Sequence, residues 1–430
     1  MAMNYMSYSS GSGELQYSIP KFWATEIRDD GTKKAFFGSR FEGGIGSNKP
    51  IIVNTDFTKG PGDTLYFQMS SELFGPGVTG ENTMEGSEEK LTLNQISLTV
   101  DWIKNAISFT AAVSKRINFD IQKAGREKLS NWLARHIDDA MFTALISGAS
   151  STIYGGAATT EATLGTTSRF GLAELSKIKT ALERTSIAIK TEGAAGEEEE
   201  YYGCVISEID AYWLKQDPDW REMQLNAGPR DYAKNKLFSG ALGLTADGMI
   251  VYVHKARKSA RNVQGSPLRP EGRLHTTLDA SSTGANNVLL GASTITGSLT
   301  KFFASSGTIR IDDEDITYTS KSIYGFTTTV RGANNTTAAA HTAGALVTQR
   351  DVATVIGFGA EIAIRGWGMK PVPIKQGADY EIMEGPMKGQ WFINGLGVAA
   401  VFGQTIVKDS AGDAPNYLLM KTYADNPGSI

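Results

Sequence analysis

Hydrophobic residues follow a helical pattern between Asn118 and Gly148. Apolar or small residues recur at steps of three and four, which places them on one face of a helix. The residues of this face are Ile121, Gly125, Leu129, Trp132, Leu133, Ile137, Ala140, Met141, Ala144 and Leu145. Asn118 suits an N-cap and Gly148 a C-terminal cap, so we predict a helix over residues 118–147. The polar residues that we expect on its wet face are Arg126, Lys128, Asn131, Arg135, Asp138 and Asp139.

A strand-like pattern precedes this helix. Thr64–Ser71 and Lys90–Val100 both alternate between apolar and polar residues, and the polar, Gly-rich segment Glu72–Glu89 separates them. The apolar positions of the second stretch change phase near Asn94–Gln95, which predicts a β-bulge or a sharp change of twist there. A two-stranded ribbon cannot bury both of its faces by itself. We therefore infer that this projecting hairpin finds its missing cover on a neighbouring subunit.

Helical and strand patterns alternate between residues 170 and 255. We predict helices over Phe170–Thr185 and Ile209–Leu214, and buried strands over Tyr202–Ile206 and Gly248–His254. The Gly-Ala-Glu segment Gly193–Glu200 ends in four acids and reads as a solvated loop. This alternation is typical of an α/β or α+β domain.

The composition changes near Gly265, where Thr, Ser, Ala, Gly and Asn become abundant and helical periodicity disappears. We predict a small all-β module over residues 265–350, inserted between two strands of the preceding domain. Its expected strands are Val288–Leu290, Thr308–Ile311, Ile316–Thr319, Tyr324–Arg331 and Ala345–Gln349. Trp391–Val407 is expected to be rich in strands, and the chain after Asp409 reads as a polar tail.

Composition narrows the class of protein. The 430 residues carry 42 basic and 46 acidic side chains, a net charge of −4, so no basic excess indicates nucleic-acid binding over the whole surface. A single cysteine excludes an intrachain disulfide framework. The sequence has no apolar run of the roughly 20 residues that span a bilayer, so we expect no membrane contact.

The residues that could carry chemistry are scattered. The four histidines lack the spacing of a helical metal site, and Cys204 lies in an apolar strand where we interpret it as a core residue. The acidic run Asp312–Asp315 lacks the glycine of an EF-hand loop and reads as a solvated hairpin turn. Six of the seven tryptophans fall on apolar patterns and are expected in the core. We predict no catalytic, cofactor-binding or metal site and no enzymatic activity.

Long segments in the first third of the chain carry a family resemblance. They are Phe22-Trp23-Ala24, Phe36-Phe37-Gly38-Ser39, Gly46 to Ile51, Lys59-Gly60-Pro61-Gly62-Asp63 and Val78-Thr79-Gly80-Glu81-Asn82-Thr83. Together with the order arm, hairpin, long helix and α/β domain, they resemble the major capsid proteins of tailed bacteriophages, in particular the N-four-like podovirus branch. The resemblance implies an α+β fold of the Hong Kong 97 type, with a small all-β domain inserted.

The same resemblance implies boundaries for the parts of that fold. They are an N-terminal arm at 1–60, an extended hairpin or E-loop at 61–100, a P domain at 101–169 with its spine helix at 118–147, an A domain at 170–264, the inserted β-rich domain at 265–350, and return strands with a C-terminal tail at 351–430. These boundaries are expectations carried over from the family.

The implied function is self-assembly as hexamers and pentamers into an icosahedral shell around a double-stranded DNA genome. A separate scaffolding protein, a portal and a decoration protein are the implied partners, with non-specific DNA contact, assembly in the host cytoplasm and a final location in the virion. The expected inter-subunit contacts are Phe22, Trp23, Phe67, Met69, Phe74, Glu81, Glu85, Glu88 and Glu89. The alternatives are an encapsulin-like nanocompartment shell and a glycan-binding adhesin acting through the β module.

Overall fold

The chain divides into two compact units, residues 1–145 with 361–413 and residues 146–360 with 414–430. We call them the first and second unit. The residues that the computed structural model describes are 35–38, 40–44, 46–54, 64–70, 75, 77–80, 83–86, 88–89, 93–110, 121–192, 198–227, 245–246, 248–255, 257–258, 263–275, 277–278, 288–289, 300–373, 393–409 and 411–425. The expected helix cap at Asn118 and the expected core residue Trp391 lie outside them.

The central sheet of the first unit has the strand order β1-β2-β20-β21-β5. With strands numbered along the chain, these are β1 (Glu42–Gly43), β2 (Ile51–Asn54), β5 (Asp101–Thr110), β20 (Ala363–Pro373) and β21 (Ile393–Ile406). β2 runs parallel to β20, whereas β21 is antiparallel to β20 and β5. Residues 42–43 and 51–54, which we placed in an extended arm, therefore belong to this sheet. The domain boundaries otherwise stay a prediction.

The predicted long helix is confirmed as α1 (Ile121–Gly148), which has 28 residues and is about 42 Å long. Its apolar face buries Leu133 and Ile137 against Trp367 and Phe402 of the sheet. Phe142, which is also buried on α1, packs against Phe37, and the centres of the two rings are 4.9 Å apart.

The predicted wet face of α1 is wrong at Asp138, which is buried. The Asp138 carboxylate accepts hydrogen bonds from the backbone N–H groups of Phe36 (2.9 Å) and Phe37 (3.0 Å). These aromatic residues just before β1 bring backbone donors to the helix, so the carboxylate that satisfies them is buried as well.

The predicted hairpin is present as β3 (Thr64–Ser70) and β4 (Leu93–Thr99), which pair antiparallel. Its register is unbroken from Thr64–Thr99 to Ser70–Leu93, so the predicted bulge at Asn94–Gln95 is wrong. The phase changes after Val100 instead. Ile96, Leu98 and Val100 are buried, whereas the even-numbered residues from Trp102 to Ala106 are exposed.

One face of the hairpin is covered by its own subunit. Ile96 and Leu98 pack with Ile52, Ile364 and Val407, and Phe67 is partly buried against the same cluster. The inference that the hairpin is covered only by a neighbouring subunit is therefore wrong for this face. The strands that flank it, β2 and β20, come from chain segments distant from the hairpin, which is why local patterning does not reveal them.

The main sheet of the second unit has the order β6-β22-β19-β8-β10-β9, with β7 also paired to β8. The strands are β6 (Thr152–Tyr154), β7 (Ile189–Glu192), β8 (Glu198–Ser207), β9 (Thr245–Ala246), β10 (Met249–His254), β19 (Val352–Phe358) and β22 (Tyr417–Tyr423). Its α-helices are α2 (Leu172–Thr185), α3 (Glu208–Gln216) and α4 (Pro218–Ala227), and two short 3-10 helices are Glu161–Thr163 and Thr166–Ser168. Leu175, Ile178 and Leu182 of α2 pack on the sheet, where Cys204 is fully buried.

This unit confirms the predicted helices and strands and corrects two segments. Glu198, Glu199 and Glu200 lie on β8, paired with β7, rather than in a solvated loop. The tail that we expected to be polar contains β22, whose residues Tyr417 to Met420 are buried between β6 and β19. Pro218 begins α4, a position where its missing N–H costs nothing.

The predicted β-rich segment forms its own sheet, with the order β11-β12-β13-β18-β15-β16-β17-β14. Its strands are β11 (Arg257–Lys258), β12 (Val263–Ser266), β13 (Arg269–Arg273), β14 (Val288–Leu289), β15 (Gly307–Ile311), β16 (Glu314–Lys321), β17 (Gly325–Ala333) and β18 (Leu346–Thr348). All five predicted strands are confirmed. We call residues 257–348 the β module; they lie between β10 and β19, which both pair with β8.

Candidate assembly surface

Two large aromatic side chains are exposed at the hairpin and directly after it. Tyr66 is 60% exposed on β3, and Trp102 is 52% exposed at the start of β5. Gln95, Ser97 and Thr99 of β4 are exposed with them. The expectation that Trp102 lies in the core is therefore wrong, although Trp220 and Trp367 are buried as expected. This exposed surface combines aromatic area with small polar groups, a composition that is typical of protein interfaces.

The tip of the hairpin is acidic, and two of its carboxylates accept hydrogen bonds from the backbone of the tip itself. The backbone N–H of Gly75 donates to Glu89 Oε2 (2.6 Å), and the N–H of Gly86 donates to Glu88 Oε2 (2.8 Å). Gly86 has a φ of +83°, which explains why glycine is suited to this turn. Glu85, Glu88 and Glu89 are exposed, and Met84 is 56% exposed beside them.

The structure brings only some of the predicted contact residues together in the part that it describes. Phe67 faces the cluster of its own subunit, and Met69 lies on β3 opposite Asn94. Glu85, Glu88 and Glu89 lie at the exposed tip. The remaining predicted contacts, Phe22, Trp23, Phe74 and Glu81, lie outside the described residues. Sequence reasoning missed Tyr66 and Trp102, because exposure of one face depends on which distant strands cover the other.

The root of the hairpin is fixed by a close backbone approach. A Cβ atom on Gly403 of β21 would lie 2.2 Å from the carbonyl oxygen of Thr99. This distance is far shorter than van der Waals contact, and a backbone atom cannot move away cheaply. A glycine at position 403 therefore allows β21 to lie directly against the backbone of Thr99, at the end of β4.

We expect Gly403→Ala to lower the free energy of unfolding by about 1–3 kcal/mol, the usual cost of overpacking. Chemical denaturation of the unassembled subunit measures this change. Gly44→Ala is the matched control, because no atom lies within 4 Å of the added Cβ there. Equal stability of the two variants would show that the approach at Thr99 is not tight.

A buried arginine fastens the segment before β1 to this same unit. Arg365 of β20 has no exposed surface, and it donates to the carbonyl oxygen of Phe37 (2.9 Å) and to Gln404 Oε1 (3.2 Å). It also forms an ion pair with Glu42 of β1. Burial lowers the pKa of Arg365, while the charges of Glu42 and Asp138 oppose this effect. The ion pair between Arg365 and Glu42 thus stabilises the position of β1 and β2 in the sheet.

The acidic run of the β module is a buried network rather than a solvated turn. Asp312 and Asp313 are exposed at the turn, but Glu314 and Asp315 are buried, so the prediction is wrong for the second pair. Glu314 accepts two hydrogen bonds from Arg331, at 2.6 and 2.7 Å. Burial alone would raise the pKa of Glu314, but bonds from Arg331, the N–H of Ala339, His341 and the N–H of Gly332 hold this pKa at about 2.

We expect this network to make the stability of the β module depend on acidity. Since the pKa of Glu314 falls from 4.5 to about 2 on folding, the stabilisation is present above pH 4.5 and is lost as the pH falls towards 2. The loss amounts to about 3 kcal/mol. Unfolding measured between pH 5 and pH 2.5 should be less pH-dependent in Glu314→Gln than in the exposed control Asp313→Asn. An equal pH dependence in the two variants would contradict this assignment.

Within the described ranges, nothing supports a metal site, a reactive cysteine or a membrane-spanning helix. They contain no group of three or more His, Cys, Asp and Glu residues placed to bind a metal ion. Burial raises the pKa of the Cys204 thiol, which disfavours the nucleophilic thiolate. No helix in the described part of the chain is long and apolar enough to cross a membrane.

Comparisons with known proteins agree with this picture. A family model described as phage capsid protein matches residues 7–153. The capsid of Ralstonia phage GP4 is 19% identical, with a TM-score of 0.58, and the match covers 100% of this chain and 99% of that one. Residues 7–153 therefore match a phage capsid family, and the whole chain has the fold of phage capsid proteins. The predicted Hong Kong 97-type α+β fold is confirmed, and the location in the virion stays a prediction.

Two further phage capsid proteins share the fold of this chain. The cyanophage Pam1 capsid is 13% identical with a TM-score of 0.58, and the match covers 99% of each chain. The head protein of Helicobacter pylori bacteriophage KHP40 is 13% identical with a TM-score of 0.54, and the match covers 91% of each chain. A search of curated proteins gives no match. The assignment to the N-four-like branch stays a prediction.

Proposed function

We propose that the chain is a phage major capsid protein and that it assembles into a shell through the hairpin, whose outward face and acidic tip contact neighbouring copies. The observation that carries this proposal is the asymmetry of the hairpin. One face is covered by Ile52, Ile364 and Val407 of the same subunit, whereas the other exposes Tyr66. Trp102 is exposed as well, at the start of β5 just after the hairpin. Exposed aromatic side chains are favoured anchors of interfaces, because each buries a large area at a small cost in conformational entropy.

Charge complementarity supports the same contact. The tip carries Glu85, Glu88 and Glu89, while the exposed charged residues that the structure describes on α1 are two bases, Lys128 and Arg135, and one acid, Glu127. An acidic tip that approaches the basic side of α1 in a neighbouring copy gains favourable steering and a defined register. Each individual ion pair at such a surface contributes little, so shell stability comes from the sum of many contacts.

The finer architecture belongs to the same proposal. The protein forms hexamers and pentamers that close an icosahedral shell around double-stranded DNA, and Phe22 and Trp23 of the N-terminal arm, residues 1–60, contact a neighbouring copy. DNA contact is weak and non-specific, since the net charge of −4 gives no basic excess. A separate scaffolding protein, a portal and a decoration protein complete the assembly in the host cytoplasm. The role is structural rather than enzymatic.

The aromatic face can be tested without changing the chain length. We expect the double variant Tyr66→Ser/Trp102→Ser to remain folded but to give at least tenfold fewer shells, because the main apolar anchors are lost. Ile323→Ser is the matched control, since Ile323 of the β module is 53% exposed. Circular dichroism checks folding, and electron microscopy with sedimentation counts shells. Wild-type shell yield from the double variant would refute this use of the hairpin.

A further inference from the structure

A small cleft lies within the second unit, beside the β module. One wall comes from β15, β16 and the loop after β17, and the other comes from the two 3-10 helices and the strands β19 and β22. Its volume is about 270 Å³. Pockets for drug-sized ligands hold roughly 300–1,000 Å³, so this cleft has room for one small molecule. None of its lining residues belongs to the hairpin, so the cleft is separate from the assembly surface.

The charges that line the cleft balance each other. Two cations, Arg310 and Arg350, are matched by two anions, Glu161 and Asp315. Asp315 contacts both arginines, because its Oδ1 is 3.1 Å from Arg310 Nε and its Oδ2 is 3.6 Å from Arg350 Nε. Arg310 Nη1 also donates to Asp351 Oδ2 at 2.7 Å. Since both guanidinium groups already face carboxylates, the cleft gives no net attraction to an anion or a cation, and it favours a neutral ligand.

The cleft presents polar groups next to apolar surface. The Asn334 side chain donates to Asp315 Oδ2 at 3.0 Å, and its amide has a second N–H and a carbonyl oxygen. The hydroxyl of Thr166, an exposed residue, can both donate and accept a hydrogen bond. Val352 and the ring of Tyr423 supply apolar surface. A sugar has the matching combination, because its hydroxyl groups donate and accept while the C–H groups of its ring are apolar.

The backbone beside the cleft is strained. Arg350 and Asp351 are consecutive residues with φ angles of +42° and +49°, in the left-handed region that favours glycine. Strain of this kind concentrates at functional sites, where surrounding contacts maintain it. Here Arg350 is held by Asp315 and by the carbonyl oxygen of Ala162, which accepts from Arg350 Nη2 at 3.4 Å. The Arg350 side chain is 28% exposed, so a guanidinium that is already positioned remains accessible to a ligand.

We propose that this cleft binds one neutral sugar residue. Arg350, Asn334 and Thr166 form hydrogen bonds with its hydroxyl groups, and the ring of Tyr423 packs against the apolar face of the sugar. A planar guanidinium presents several donors in fixed directions, which suits neighbouring hydroxyl groups. The chain thereby gains a saccharide-binding function. This function is additional to shell assembly and does not rest on it.

Saturation-transfer difference NMR on the full-length, unassembled subunit tests the cleft. The probes are the methyl glycosides of glucose, galactose, mannose and N-acetylglucosamine. We expect at least one of them to bind with a Kd on the order of 1 mM, because the ligand is small. N-acetylneuraminic acid, which carries a carboxylate, should bind about tenfold more weakly. Absence of binding by all of the methyl glycosides, or tighter binding of the charged sugar, would overturn the proposal.

Two variants assign the binding to the cleft. Gly165 lines it with a φ of −153°, an extended conformation that any residue adopts, and no atom lies within 4 Å of an added Cβ. Gly165→Phe should therefore fold and abolish detectable binding, whereas Gly44→Phe, at an equally open position in the first unit, should bind normally. Thr166→Val should weaken binding about three- to tenfold, with Thr167→Val at the next exposed residue as the matched control. Circular dichroism checks folding. Wild-type affinity in either folded cleft variant would show that the sugar binds elsewhere and would overturn the proposal.

Discussion

Subunits in which residues 71–92 are replaced by Asn-Gly are expected to fold normally and to form no shells. Ser70 and Leu93 are directly opposite each other in the hairpin, so a two-residue type I′ turn can join them without changing the register. The buried face, with Ile96 and Leu98, remains in place. The replacement removes the acidic tip and the exposed side chain of Met84. We therefore expect this variant to fold normally but to fail in assembly.

Light scattering and electron microscopy under assembly conditions measure this result, with thermal unfolding as the check on folding. The full-length variant Glu85→Gln/Glu88→Gln/Glu89→Gln serves as a companion. If the tip acts through charge, this variant should also assemble poorly and should lose the salt dependence of assembly. Normal shells from the shortened hairpin would be incompatible with a tip that joins subunits.

Arg365→Met is expected to lower the free energy of unfolding of the subunit by about 3–5 kcal/mol. The substitution keeps much of the apolar stem but removes the donors to Phe37 and Gln404 and the partner of Glu42. Glu42 and Asp138 would then keep their negative charges without the buried cation, which is the costly way to break an ionic network.

Urea denaturation followed by tryptophan fluorescence measures this loss, because Trp367 lies two residues from the substitution in the same strand. Arg135→Met on the exposed side of α1 is the control and should change stability by less than about 0.5 kcal/mol. The double variant Arg365→Met/Glu42→Gln should recover part of the loss. A single variant as stable as the control would contradict the role of Arg365 as an ionic anchor.

Periodic elements could be predicted from the sequence because their signal is local. The helical steps of α1 and the short strands of the β module both follow from neighbouring residues, and both are confirmed. The buried charges could not be predicted in this way. Arg365 and Glu42 are 323 positions apart, and each looks like an ordinary surface residue until the fold joins them. Asp138, Glu314 and Asp315 were placed in solvent for the same reason.

The candidate site shows a similar division. The acidic tip is a property of one continuous segment, so Glu85, Glu88 and Glu89 could be placed from the sequence. The exposure of Tyr66 and Trp102 depends on which side of the ribbon β2, β20 and Val407 cover, and these lie far away in the chain. β22 was missed because Tyr417 to Met420 are all buried, so the strand shows no alternation of apolar and polar residues, and because the strands on either side of it, β6 and β19, come from distant parts of the chain.

The order of the strands has a consequence during synthesis on the ribosome. β5 pairs with β21, and the end of β5 at Thr110 precedes the start of β21 at Ile393 by 283 positions. At translation rates of about 5–20 residues per second, β5 with its residue Trp102 waits about 15–60 s for this partner. Nascent chains therefore carry an incomplete edge for most of translation, so premature association of polysome-bound copies is a hazard that chaperone binding to this segment would relieve.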